Sequence, residues 1–323
     1  MSAAASPDDG AVRDARRVTG SEMLARRGIS AEPVPSPSEH RFPDGAHYRI
    51  EIPSVEGPAV LRAVVAQASA EGIVVNRASQ GSGAMLLSAA ELAEMARIGA
   101  DSGLEVSLFT GPREEWDVGS VAQSGEGPSR AGLIRSLRQL RYAVDDVLRA
   151  VDQGIRGFLV ADTGLLELLA GMQSDGQIPT SVVWKISAML APANPLTVAQ
   201  LERLGASTIN VPADVTLGQL SEMRSVTSLP LDLYVEAPTG MGGVVRGHEA
   251  ADLVAVASPM YVKFGLRNSR PLYPSGLHLS DEAAAIAREK VHRARVALEW
   301  MERSGLGLGQ SQPGAPGLGV PNP

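Results

Sequence analysis

The chain has no cysteine. Thiol nucleophiles, disulfides and cysteine-ligated zinc or iron–sulfur centres are therefore excluded together. No apolar run reaches the roughly 18 residues that a membrane-spanning helix needs, and the first 43 residues lack the basic-then-apolar order of a secretory signal. Positive charge is also short: 29 Lys and Arg stand against 36 Asp and Glu, for a net charge of −7, which opposes binding to phosphate backbones. The expectation is a cytoplasmic protein with neither nucleic acid nor a membrane as partner. None of the histidines (His40, His47, His248, His278, His292) forms an H-x-H or H-E-x-x-H pair, so neither a histidine zinc site nor a Ser-His-Asp triad is visible.

What is present fits an ordinary globular fold. The 323 residues are 44% hydrophobic, and a chain of this length buries roughly three quarters of its unfolded surface without a staple. Residues 1–43 are rich in Ala, Ser, Pro, Asp and Arg and read as a mostly disordered extension, with one short helical pattern over 21–27. Residues 304–323, SGLGLGQSQPGAPGLGVPNP, read as a disordered Gly/Pro tail.

Between them, residues 44–303 alternate β-branched runs with helical patterns. Strands are expected over 48–52, 73–77, 105–109, 157–162, 182–187, 207–211, 231–236 and 260–264. Helices are expected over 58–70, 88–102, 130–153, 163–173, 195–204, 217–226, 248–257 and 281–303. Eight strand–helix units in a stretch of about 250 residues predict a single (β/α)8 TIM barrel. A doubly wound open sheet is the alternative, but the turn after the first run, Pro53-Ser54-Val55-Glu56-Gly57, is no glycine-rich fingerprint. The polar insertion over 111–129, with Arg113, Trp116 and Asp117, stands where a barrel keeps an active-site lid.

Barrel chemistry sits at the carboxyl ends of the strands. Those ends offer Glu51, Arg77 with Gln80 beyond it, Asp162, Lys185, Asn210, Glu236, and Lys263 followed by Arg267. Lys185, set in the apolar run VVWKIS, is the sharpest: a desolvated lysine loses basicity and serves as a base or Schiff-base amine. The structural alternative is an ion pair with Asp162 on the neighbouring strand. Arg77, Gln80, Asn210, Lys263 and Arg267 are expected to bind an anionic substrate, with Lys185, Asp162, Glu236 and Glu51 as the catalytic set. Glu51, Asp162, Glu236 and Asn210 also make a hard-oxygen set suited to magnesium or manganese.

GIRGFLVADTGLLELL (154–169) and NPLTVAQLERLGASTINVPADVTLGQL (194–220) resemble the peptidase U32, collagenase-like family. The resemblance implies an eight-stranded barrel with Asp162, Asn194, Asn210 and Glu236 near its mouth. Where that family runs into His-Gly-Ala and then cysteines, this chain has LYVEAP, with Glu236 at the histidine's position and no cysteine to hold the family's iron–sulfur cluster. Three readings follow: a U32-like barrel enzyme acting on a small anionic carbonyl or hydroxylated molecule, a lyase, isomerase or hydrolase; a peptidase using a metal-activated water; or a non-catalytic accessory subunit. The cofactor is unknown, and self-association stays open.

Overall fold

The computed structural model describes residues 19–29, 34–116 and 132–323. Eight parallel strands pair in sequence order and close on themselves: β1 (Tyr48–Pro53), β2 (Arg77–Gln80), β3 (Glu105–Phe109), β4 (Gly157–Val160), β5 (Val183–Ile186), β6 (Thr208–Asn210), β7 (Leu231–Glu236) and β8 (Met260–Phe264). A short helix, α1 (Gly20–Ala25), precedes the barrel. The surrounding helices are α2 (Pro58–Glu71), α3 (Ala89–Asp101), α4 (Leu137–Asp152), α5 (Thr163–Ser174), α6 (Pro195–Arg203), α7 (Leu217–Arg224), α8 (Ala250–Ala257) and α9 (Ser280–Ser304). This is the (β/α)8 barrel that the strand count predicts.

Strand alternation explains which side faces which layer. Ile50 and Ile52, Val106 and Leu108, Phe158 and Val160, Trp184 and Ile186, Leu231, Leu233 and Val235 all join the apolar layer between sheet and helices. Each such side chain contributes about 1.5–3 kcal/mol by leaving water. The intervening residues (Glu51, Arg77, Glu105, Lys185, Thr208, Asp232, Lys263) bond to one another across the lumen. An ordinary barrel fills that lumen with branched aliphatic residues. This one fills it with charge.

Local signals set the helix starts. Ser88 and Glu91 form a capping box at α3, and Asn194 caps α6 with Pro195 in its first turn. The second strand departs from expectation. The apolar run over 73–77 is mostly a lead-in, and pairing begins at Arg77, which lies opposite Glu51 and Glu105. Ile73 and Val75 pack into the helix layer instead, because here hydrophobicity marks the outside of the barrel.

Both tails also differ from expectation where they are described. Phe42 is buried edge-on against Tyr261, and Ser38 bonds through its backbone to Ala255 and through its hydroxyl to Ser258, so the barrel's contacts reach back beyond residue 44. Residues 305–323, expected to be disordered, lie along the barrel's amino-terminal face with Ser311 and Ala315 buried. Its glycines let the chain turn there, and its backbone groups find partners in the loops that enter the strands. Residues 1–18, and most of the expected lid with Asp117, fall outside the described residues. Among the described residues no helix is long and apolar enough to cross a membrane.

Candidate functional site

Above Arg49 at its lower end, the lumen gathers Arg77, Lys185 and Lys263 with Glu51, Glu105 and Asp232, all essentially shut off from solvent. Arg77 is their hub. Its Nε lies 2.5 Å from Glu105 Oε1, and its NH1 lies 3.0 Å from Asp232 Oδ2 and 3.3 Å from Glu51 Oε2. The guanidinium also stacks 3.5 Å above the Tyr261 ring. Burial works against the charge, but Glu105, Tyr261, Asp232 and Glu51 outweigh it and raise the Arg77 pKa well above its ordinary value. Arg77 is thus saturated by protein carboxylates at the start of β2, and its placement gives no open face to a substrate anion.

Above it, Lys185 donates to Glu51 Oε1 and to Ser79 Oγ (3.0 Å), with Asp232 Oδ2 at 3.7 Å. Desolvation pulls the Lys185 amine down to about 7; Lys263 and Arg77 add to the fall, against Glu51 and Asp232. Burial pushes Glu51 up, yet Lys185, Lys263 and Arg77 together hold its carboxyl below the usual range. Burial, helped by Glu51, pushes Asp232 up despite Arg77 and Lys185. Asp232 Oδ1 has no hydrogen-bond partner. Lys263 donates to Asn210 Oδ1 at 2.6 Å, lies 3.5 Å from Glu51 Oε1 and sits 4.1 Å from the Tyr234 ring centroid. Asn210 is turned toward it by donating its own amide to Ile186 O at 2.8 Å.

The other sequence candidates lie apart from this group. Asp162 is the N-cap of α5: its Oδ1 accepts from Leu165 N at 2.9 Å and its Oδ2 from Ile134 N at 3.2 Å. The expected Lys185–Asp162 pair is replaced by Lys185 with Glu51 and Asp232, because Lys185 points inward whereas Asp162 lies past the end of β4. Gln80 closes on Gly83 through both its amide atoms, each at 3.0 Å, and so stitches its own loop. Glu236 accepts from Arg267 N at 3.1 Å and faces Arg293 at 3.8 Å, while the Arg267 side chain is exposed at the rim. The four oxygen ligands of the metal reading are therefore not gathered, and no group of three or more acids and histidines suited to a metal occurs among the described residues.

Loops seal one side of the mouth. Glu56 accepts from Gly81 N and Ser82 N, Ser82 Oγ accepts from Ser275 N, and the Tyr273 hydroxyl lies 2.6 Å from Ser54 Oγ. Arg113 reaches the Gly81 carbonyl and stacks on Phe109 and Trp116. On the other side Leu159, in register with Lys185 on the adjacent strand, keeps partial exposure, whereas Lys185 itself is fully buried.

Glu105 and Asp232 were missed because they stand at or near strand starts. A second signal lay in the lysine count. Lys185, Lys263 and Lys290 are the only lysines in the chain. All three are buried, whereas lysine is ordinarily the residue left in water. Lys290 of α9 donates to Pro53 O at 2.8 Å, and burial, opposed by Glu56, lowers it to about 8.

Neither a protein-family model nor a curated protein matches this chain. Among solved structures it is similar to a U32 peptidase, at 20% identity over 64% of this chain and 73% of that one, with a TM-score of 0.40. It is also similar to 2,3-dimethylmalate lyase, of the PEP mutase/isocitrate lyase superfamily, at 12% identity over 82% and 87%, TM-score 0.43. A third is thiamine phosphate pyrophosphorylase from Pyrococcus furiosus, at 9% identity over 79% and 96%, TM-score 0.45.

Proposed function

We propose that the chain is a barrel enzyme that removes a proton beside the carbonyl of a small anionic molecule, such as a 2-keto acid, with Lys185 as the base. One observation carries this reading: the only inward lysines, Lys185 and Lys263, meet at a single oxygen of Glu51. Burial, with Lys263 and Arg77 close by, lowers the Lys185 amine to about 7, so a neutral amine is available near physiological pH. Lys263, steadied by Asn210, is the cation for the substrate's anionic group. Lys185 is the free amine, and Arg267 at the rim guides the anion inward. The segments over 154–169 and 194–220 further support a distant relation to the U32 peptidases, without the cysteines and without any cluster chemistry.

The test is α-proton exchange of 2-keto acids in deuterated water, followed by proton NMR. The reading expects exchange with the wild type, none with Lys185→Met, and a raised KM with Lys263→Met. A second reading, a non-catalytic accessory barrel with a structural charge network, is favoured by the complete burial of Lys185 and its bonds to Glu51 and Ser79. No exchange, and no rise in melting temperature with any 2-keto acid tested, would establish that reading instead.

A further inference from the structure

A barrel floored with aliphatic side chains seals its own lower end. Here the lowest inward residues are Arg49, Arg77 and Glu105; the Phe42 ring lies 4.0 Å from the Arg49 guanidinium, and the polar partners of Arg49 and Glu105 on this side come from the carboxyl-terminal tract. Arg49 donates from Nε to Ser311 Oγ at 2.9 Å, from NH2 to Pro316 O at 2.7 Å and from NH1 to Tyr261 Oη at 3.1 Å. Gly319 N donates to Glu105 Oε2 at 3.1 Å. Backbone bonds fix the tract beneath the strands: His47 N to Gly309 O, Ser311 N to Tyr48 O, Gly314 N to Gly103 O and Asn322 N to Gly154 O. The acceptors and donors on the barrel side lie in or just before β1, β3 and β4. Gln310 and Ser311 add Val74 and Asn76, before β2.

We propose that residues 305–323 form a built-in plug of the barrel's amino-terminal face that keeps water off the charge chain leading from Gly319 through Glu105 and Arg77 to Lys185. The links are continuous: Gly319 N to Glu105, Glu105 to Arg77, Arg77 to Glu51 and Asp232, and both of those to Lys185. The charged groups facing Lys185 are Glu51 on β1, Arg77 on β2, Asp232 on β7 and Lys263 on β8. Burial is the largest influence on the Lys185 amine, so water admitted from below returns it toward an ordinary lysine. The plug therefore sets the condition that the proposed base needs, and this part of the inference rests on the reading above.

The experiment compares the full chain with one ending at Ser304, alone and with a synthetic peptide of residues 305–323. Melting temperature and the NMR titration of 13Cε-labelled lysine are both recorded. The plug expects the shortened chain to melt earlier, the peptide to restore the melting temperature in trans, and the Lys185 midpoint to move up by at least about one pH unit until the peptide returns it. Where the shortened chain does not fold, Gly319→Ala in the full chain takes its place, since the added Cβ would meet the Arg156 carbonyl oxygen at 2.8 Å. A shortened chain that melts and titrates like the full one, a peptide without effect, or an unchanged midpoint in Gly319→Ala overturns the proposal. A full chain whose Lys185 already titrates as an ordinary lysine contradicts the base reading instead, and the plug is then decided by the peptide's effect on melting.

Discussion

The amines of Lys185 on β5 and Lys263 on β8 share one atom, Oε1 of Glu51 on β1. That sharing ties three strands together through one carboxylate. Removing a partner from a buried pair leaves an uncompensated charge, at about 3–5 kcal/mol. Glu51→Gln is therefore expected to lower stability by an amount in that range at neutral pH, read from urea unfolding. Adding Lys185→Met should recover part of the loss, so the double-mutant cycle should show a clear coupling. Simple additivity would mean that the two groups do not interact.

Stability should also rise with pH above neutrality. Lys185 at about 7 and Lys290 at about 8 are lowered from the ordinary lysine value of 10.5. Between those values the unfolded chain binds more protons than the folded one, so unfolding becomes harder as pH increases. Melting temperature is expected to climb from pH 7 toward pH 10, with a shallower climb in Lys185→Met. Glu51 acts at the acid end: its lowered folded pKa gives stability above the ordinary glutamate range that is lost as pH falls below it. A flat profile above pH 7 in the wild type would speak against a lowered lysine.

Arg77 cannot be replaced by lysine. It spans to Glu105, Asp232 and Glu51 with a planar fork while stacking on Tyr261, and an ammonium has one point from which to donate. Arg77→Lys is expected to cost about 3–5 kcal/mol, as breaking a buried pair does. A loss below about 1 kcal/mol in urea unfolding would show that the fork geometry does not matter.

At the mouth, Gly81 leaves room for Tyr273. A Cβ at position 81 would fall on the phenol ring, so Gly81→Ala should destabilise by about 1–3 kcal/mol through overpacking. Tyr273→Ala in the same chain should restore most of that. If it does not, the clash lies elsewhere.

Strand alternation was legible and went partly unused. EVSLF and LDLYVE both place polar residues on one face and apolar residues on the other. In a parallel barrel, whose strands are normally apolar on both faces, that alternation marks a polar lumen. The strand ends point to Glu51, Lys185 and Lys263, whereas Glu105 and Asp232 sit at or near strand starts. Asp162 looked equivalent in sequence, yet two residues past the end of β4 it becomes a helix cap. The partners of Lys185 come from β1, β2, β7 and β8 and depend on closure of the ring, which no local spacing encodes. The tail misled because Gly and Pro carry little side chain to bury. What holds it is backbone hydrogen bonding and three buried polar side chains of the barrel floor, Arg49, Asn76 and Glu105.

The most direct measurement uses the lysine count itself. Three lysines give three 13Cε signals, and Lys185→Met identifies one of them. The Lys185 signal is expected to titrate near pH 7 in the full chain. A Lys185 midpoint at or above about 10, where exposed lysines titrate, would contradict it.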